Sequence, residues 1–109
     1  MSVIEPEPIA AQAVYLLLTA RIADARKMAA YNAALAASGL YAAHGGVVIA
    51  DGQPANRLEG WPDGVGAVLV RFPSRTAAES FWFSAAYQND LKPLRRGAGT
   101  VQVAIFDAV

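Results

Sequence analysis

The chain has 109 residues, which suits one compact domain and leaves little room for a deep active site inside it. Nine Lys and Arg residues balance nine Asp and Glu residues, and this even charge argues against nucleic acid or an anionic membrane as a partner. The chain has no cysteine, which excludes disulfides, thiolate catalysis and cysteine-ligated zinc.

The amino-terminal stretch MSVIEPEPIAAQ combines two glutamates with two prolines and lacks the basic and apolar regions of a signal peptide. We therefore predict a flexible lead-in over residues 1–12 and a single domain over residues 13–109. No run of about 18 apolar residues occurs that would predict a membrane span. These features together predict a cytoplasmic protein.

Four segments have the composition of β-strands, and in each of them the residues that would point to either face of a sheet are mostly apolar. A strand with one solvated face would show polar residues at every second position, so both faces of the predicted sheet need a cover. The segments are Ala13–Thr19, Gly46–Ala50, Val65–Phe72 and Thr100–Val109.

Two helices are predicted between these strands. Asp24 can cap the first helix, and Gly39 supplies its carboxyl-terminal stop. Ser74 or Thr76 can cap the second helix. Ser84 can restart the chain into a further helical turn through Leu91, which Pro93 kinks or ends. Between the second and third strands, residues 53–64 are rich in turn formers and predict a long hairpin arm, with a short edge extension at residues 57–59.

The order strand, helix, strand, strand, helix, strand predicts an α+β ferredoxin-like fold. Its antiparallel four-stranded sheet carries both helices on one face. Since two helices cover only one face, a second copy of the chain is the simplest cover for the other, and we expect a homodimer whose sheets pack face to face.

His44 and Tyr31 are candidate polar contacts for a ligand. His44 is the only histidine and could act as a general base, although a histidine beside two glycines is more often a turn residue. Tyr31 and Trp82 could line a pocket for a flat ligand, but aromatic residues at helical spacing more often belong to the core. Tyr15 is one of two polar side chains that the first strand offers to a barrel interior.

Arg71 and Arg95 are candidate holders of a substrate carboxylate. Arg71 interrupts an apolar strand and requires a partner if it is buried. The alternative for Arg95 is an ion pair with Glu59, Glu79 or Asp90. One histidine with scattered carboxylates does not make a metal site, and no phosphate-binding glycine motif or nucleophile motif occurs, so we predict neither a metal nor a cofactor.

Three stretches resemble a family of small bacterial proteins known as the domain of unknown function DUF1330: LEGW at residues 58–61, VLVRFPSRTAAESFW at 68–82 and SAAYQNDLKPLRR at 84–96. The resemblance covers about Val14 to Asp107. It implies a ferredoxin-like chain that pairs into a dimeric α+β barrel, as in the antibiotic-biosynthesis monooxygenases and muconolactone isomerases.

Two functions stay open from the sequence. The first is binding of a small aromatic or carboxylic acid molecule in a cavity between the sheets, with a cofactor-free isomerase or oxygenase as the reaction implied by the resemblance. The second is a dimeric structural or interaction module without catalysis. The ligand residues expected for the first are Tyr15, Tyr31, His44, Arg71, Trp82 and Arg95.

Overall fold

A computed structural model describes residues 12–109, and the predicted lead-in lies outside them except for Gln12. Four strands form the sheet: β1 (Val14–Ile22), β2 (Val47–Gly52), β3 (Val65–Phe72) and β4 (Gly99–Asp107). The α-helices are α1 (Ala25–Ser38), α2 (Leu40–Ala43) and α3 (Arg75–Trp82). A π-helical turn (Ala86–Leu91) and a 3-10 helix (Lys92–Arg95) follow α3.

The four strands pair in the order β2-β3-β1-β4, and every pair is antiparallel. This is the strand order of the ferredoxin-like fold, so the predicted fold class is confirmed. β1 lies in the middle, where Tyr15 pairs with Arg71 on one side and Phe106 on the other. β2 is an edge strand with a bulge between Val48 and Ala50.

The helices cover one face of this sheet. The even-numbered residues of β1 and β3 point towards them, because side chains alternate along a strand. Apolar side chains from α1, α3 and the π-helical turn pack against these strand residues. The core on this face consists of Val14, Leu16, Ala20, Met28, Tyr31, Leu35, Val70, Phe72, Ala78, Phe81, Tyr87, Leu91 and Ala98.

The opposite face of the sheet carries no helix. Tyr15, Leu17 and Leu69 are half-buried there by their strand neighbours alone, while Val47 and Phe106 are 57% and 53% exposed. We call this surface the open face. The sequence predicted that both faces of the sheet would be apolar, and the open face has this apolar character.

Local capping follows the sequence closely. The Asp24 carboxylate accepts hydrogen bonds from the backbone N–H groups of Arg26 and Lys27, and Gly39 ends α1 with a φ of 64°. Of the two caps proposed for α3, the structure uses Ser74, whose hydroxyl accepts from the Ala77 N–H. The first four N–H groups of a helix have no partner within the helix, and the Asp24 and Ser74 side chains accept hydrogen bonds from some of them.

Two details differ from the sequence prediction, and a third follows it. α2 is an additional turn of helix, which Gly39 permits because the chain reverses through its left-handed conformation. The predicted edge extension at residues 57–59 is not a strand. The division of the second helix at Ser84 was predicted: the Ser84 hydroxyl accepts from the Tyr87 N–H and starts a new turn, and Pro93 lies within the 3-10 helix that follows.

Within residues 12–109, no helix is both long enough and apolar enough to cross a membrane.

Candidate functional site

Two buried tyrosines meet between the helices. Tyr31 lies on the sheet-facing side of α1, and Tyr87 lies on the π-helical turn. Their hydroxyl oxygens are 2.8 Å apart and share a hydrogen bond, and their rings meet edge to face. The side chains are 3% and 1% exposed, so this hydrogen bond satisfies two phenols that would otherwise be buried without partners.

Arg95 completes this group from the 3-10 helix. Its Nη2 donates to the Tyr87 hydroxyl at 3.4 Å, and its guanidinium carbon lies 5.5 Å from the centre of the Tyr31 ring. The guanidinium is thus held by aromatic side chains and not by an acid. The alternative ion pair of Arg95 with Glu59, Glu79 or Asp90 does not form, since the ion pairs of residues 12–109 involve other side chains.

The surroundings of Tyr31 and Tyr41 disfavour ionised phenols. Burial raises the pKa of Tyr31 well above its ordinary value of 10.0, and the neighbouring Tyr87 adds to this effect. Burial also raises the pKa of Tyr41 to about 12, with Tyr87 and Asp51 as further causes. Both tyrosines therefore remain protonated over the physiological range, where they can donate hydrogen bonds.

Tyr31 also forms part of the wall of a cavity between α1 and the sheet, of about 420 Å³. Its apolar lining comes from the helix-facing side of β1 and β3 and from α1. These apolar residues include Leu18, Ala20, Met28, Leu35 and Val68. The volume lies in the range of pockets that hold small organic molecules.

The polar groups of this cavity lie mostly towards β2. Asn32, Tyr41, Asp51 and Gln53 contribute to the lining, and Asp51 is the one charged residue among the lining residues. Asp51 pairs with Val68 in the sheet and thus falls on the helix side of β2, after the bulge. The cavity therefore combines an apolar interior with a carboxylate at one end.

The sheet separates the six predicted ligand residues into two groups. Tyr15 and Arg71 face each other across β1 and β3 on the open face, where Arg71 is exposed and its charge is solvated. Tyr31 and Arg95 lie on the helix side, joined through Tyr87. A cavity between two sheets stays a prediction, and the cavity between α1 and the sheet contains only Tyr31 of the six.

Trp82 and His44 also lie on the helix side. The Trp82 ring packs on Tyr87 with centroids 5.0 Å apart, and the Lys92 ammonium lies 5.1 Å from its centre. His44 follows α2 and meets Phe81 edge to face at 6.2 Å. Neither residue lines the α1 cavity, and both lie on the opposite side of the sheet from Tyr15 and Arg71.

Sequence reasoning missed Tyr41 and Asp51 as lining residues. Tyr41 lies on α2, a helix that the sequence did not predict, and Asp51 with Gly52 matched a turn signal. The bulge in β2 gave no recognisable signal, yet it decides which face of the sheet Asp51 occupies. The one available signal was an acidic residue directly after the apolar run VVIA.

The family model for the domain of unknown function DUF1330 matches residues 13–109. The chain belongs to the DUF1330 family. This confirms the resemblance found in the three sequence stretches, and no curated protein matches the chain.

Solved structures similar to this DUF1330 chain share its fold at low identity. A protein of unknown function from Rhodopseudomonas palustris is 18% identical with a TM-score of 0.67, covering 91% of this chain and 84% of that one. SnoaB, a cofactor-independent oxygenase from Streptomyces nogalater, is 15% identical with a TM-score of 0.65, covering 91% of this chain and 95% of that one. At these identities the likeness shows the α+β fold alone.

The raised tyrosine pKa values predict a loss of stability in alkali. An unfolded chain releases these protons near pH 10.0, whereas the folded DUF1330 chain retains them to about pH 12 or above, so the free energy of unfolding falls as pH rises above 10. Each phenol contributes a slope of about 1.4 kcal/mol per pH unit. Denaturant unfolding at several alkaline pH values measures this slope, and Tyr31→Phe combined with Tyr41→Phe should flatten it. An unchanged slope in the double variant would contradict the assignment.

Proposed function

We propose that this chain binds a small, neutral aromatic molecule with a hydroxyl group in the cavity between α1 and the sheet. The observation that carries this proposal is the apolar lining, formed by residues such as Leu18 and Val68, with Asp51 as its one charged group. Ligand pockets commonly pair a large apolar surface with few polar groups that fix the orientation of the ligand. A flat ring fits the apolar part, and its hydroxyl group donates to Asp51.

The charge of Asp51 supports the aromatic class over the carboxylic acid class. A carboxylic acid ionises at neutral pH and would be repelled by the Asp51 carboxylate, although Asp51 is exposed and solvent weakens this repulsion. Arg71 and Arg95, the two predicted carboxylate holders, do not line this cavity. The cavity therefore favours the aromatic class, with Tyr41 and Gln53 as further hydrogen-bonding groups.

A carboxylate beside a bound hydroxyl group can accept its proton, which is a step of general base catalysis. Asp51 thus supplies one element of a cofactor-free isomerase or oxygenase. SnoaB, a structural neighbour, is a cofactor-independent oxygenase. We propose this reaction class for the DUF1330 chain, and consumption of dissolved oxygen in the presence of bound 1-naphthol tests the oxygenase form.

We further propose that the open face packs against the same face of a second chain. Leu17, Leu69 and Phe106 lie there without a helix to cover them. A self-complementary apolar patch is typical of a two-fold homodimer. Tyr15 and Arg71 would then lie between the two sheets, where the predicted inter-sheet cavity belongs.

Filling the cavity should abolish binding. Ala36 lies on the exposed side of α1 and contributes to the cavity lining, so Ala36→Trp places an indole at its entrance while the core of the fold is unchanged. We expect 1-naphthol to bind to the native chain and at least about tenfold more weakly to this variant, which corresponds to a loss of about 1.4 kcal/mol. Titration calorimetry measures both affinities.

Ala37→Trp is the matched control. Ala37 is the next residue of α1 and is also exposed, but it does not line the cavity. Equal affinities of the two tryptophan variants would contradict binding in this cavity. Absence of naphthol binding to the native chain would favour the alternative of a dimeric module without a ligand.

Removal of the carboxylate charge tests the role of Asp51. The native chain should prefer 1-naphthol over 1-naphthoate, because the carboxylate of the second ligand is repelled by Asp51. Asp51→Asn removes this repulsion and should reduce the preference about tenfold, as hydrogen bonds to charged groups contribute about 1.5–3 kcal/mol. Competition between the two ligands measures the ratio, and an unaltered ratio would exclude Asp51 as the selecting group.

A single charge on the open face should separate the proposed dimer. Leu17→Glu introduces a carboxylate at the centre of this face, where a second sheet would desolvate it. We expect a monomer by light scattering coupled to size-exclusion chromatography, with the native far-UV spectrum retained. Ala33→Glu, on the exposed side of α1, should stay dimeric. A dimer of the Leu17→Glu variant would show that the chains associate through another surface.

A further inference from the structure

A second pocket lies on the outer side of the Tyr31–Tyr87 pair, away from the α1 cavity. Its lining residues are Gln88, Lys92, Pro93, Arg95 and Arg96, and its volume is about 320 Å³. Three of the five residues are cations and none is acidic. We call this the cationic pocket. We propose that it binds an oxyanion, namely the phosphate or carboxylate group of a small molecule.

The cations of this pocket have no acidic partner in the described part of the chain. Both ion pairs found there, Arg57 with Asp63 and Arg75 with Asp107, use other residues. Lys27 adds a further positive charge nearby, as its Nζ donates to the Arg96 carbonyl oxygen at 3.4 Å. Since the whole chain has zero net charge, this local excess of positive charge is a feature of the site and not of the composition.

The acids closest in sequence do not neutralise this excess. Asp24 precedes Lys27, but its carboxylate accepts hydrogen bonds from two backbone N–H groups at the start of α1. Asp90 belongs to the π-helical turn, yet it is exposed and takes part in neither of the two ion pairs. Repulsion among Lys92, Arg95 and Arg96 therefore persists until an anion enters.

Two of these cations are held in place before any ligand arrives. Arg95 is fixed by the Tyr87 hydroxyl and the Tyr31 ring, and Lys92 lies against the Trp82 ring. Their positions thus cost less conformational entropy on binding than those of free surface side chains. Aromatic contacts also leave the charge available, whereas an acidic partner would neutralise it.

One donor at the site is unused. The Nε atom of Arg95 is buried and has no hydrogen-bond partner within residues 12–109. A buried donor without a partner costs free energy, and the same burial keeps this atom out of reach of a ligand. An oxyanion in the pocket would instead contact the part of the Arg95 guanidinium that lines it, and would reduce the repulsion among the three cations.

Titration of the ¹⁵N-labelled full chain tests the proposal, with amide chemical shifts as the readout. Sodium phosphate and sodium acetate serve as the two probes, each at ionic strength held constant with sodium chloride. We expect saturable shifts confined to amides of residues 88–97 with at least one probe. The probe that binds with the higher affinity indicates whether the ligand carries a phosphate or a carboxylate group.

Lys92→Gln combined with Arg96→Gln should weaken binding about tenfold, because two of the three charges are lost. Arg26→Gln, a change of an exposed cation on α1, is the control and should bind as the native chain does. Ala36→Trp should also retain anion binding, which keeps this test independent of the α1 cavity. Shifts without saturation for both probes, or equal binding by the double variant and the control, would overturn the proposal.

Discussion

An aromatic cluster joins the helices to the sheet, and the positions of Tyr31, Trp82 and Arg95 depend on it. Phe81 packs on Phe72 of β3 at a centroid distance of 5.5 Å and on Tyr87 at 4.9 Å. Tyr87 in turn contacts Trp82 and Tyr31. Aromatic contacts of this kind bury a large area and restrict orientation, so the π-helical turn and the 3-10 helix are held at a fixed height above the sheet. Both pockets depend on this arrangement, because Tyr31 lines the α1 cavity and Arg95, which Tyr87 holds, lines the cationic pocket.

The two faces of the sheet serve different purposes as a result. The helix side holds the core, the α1 cavity and the cationic pocket. The open face holds apolar side chains together with Tyr15 and Arg71, which the sequence had grouped with the helix-side residues. Alternation along β1 and β3 is sufficient to separate them, since odd-numbered and even-numbered residues point in opposite directions. A ligand site that uses Arg71 therefore lies on the open face.

Sequence reasoning reached the fold because its signals are local. Strand periodicity, the Asp24 cap and the Gly39 stop each act within a few residues, and together they specify the order of the elements. The candidate site could be predicted only in part, because it depends on contacts between distant parts of the chain. Tyr31 could be proposed from its helical position, but its hydrogen bond to Tyr87 spans 56 residues. The role of Asp51 depends on a bulge that has no clear sequence signature.

Hydrogen-bond direction adds a consequence to the contact between Arg95 and Tyr87. A guanidinium only donates, so the Tyr87 oxygen is an acceptor for Arg95. This favours Tyr87 as the donor of its own proton to the Tyr31 oxygen, 2.8 Å away. The Tyr31 hydroxyl then accepts in this hydrogen bond, and its own hydrogen is not used within the pair. The cation thus sets the direction of the hydrogen bonds along the row Arg95, Tyr87 and Tyr31, and the last of these side chains belongs to the lining of the α1 cavity.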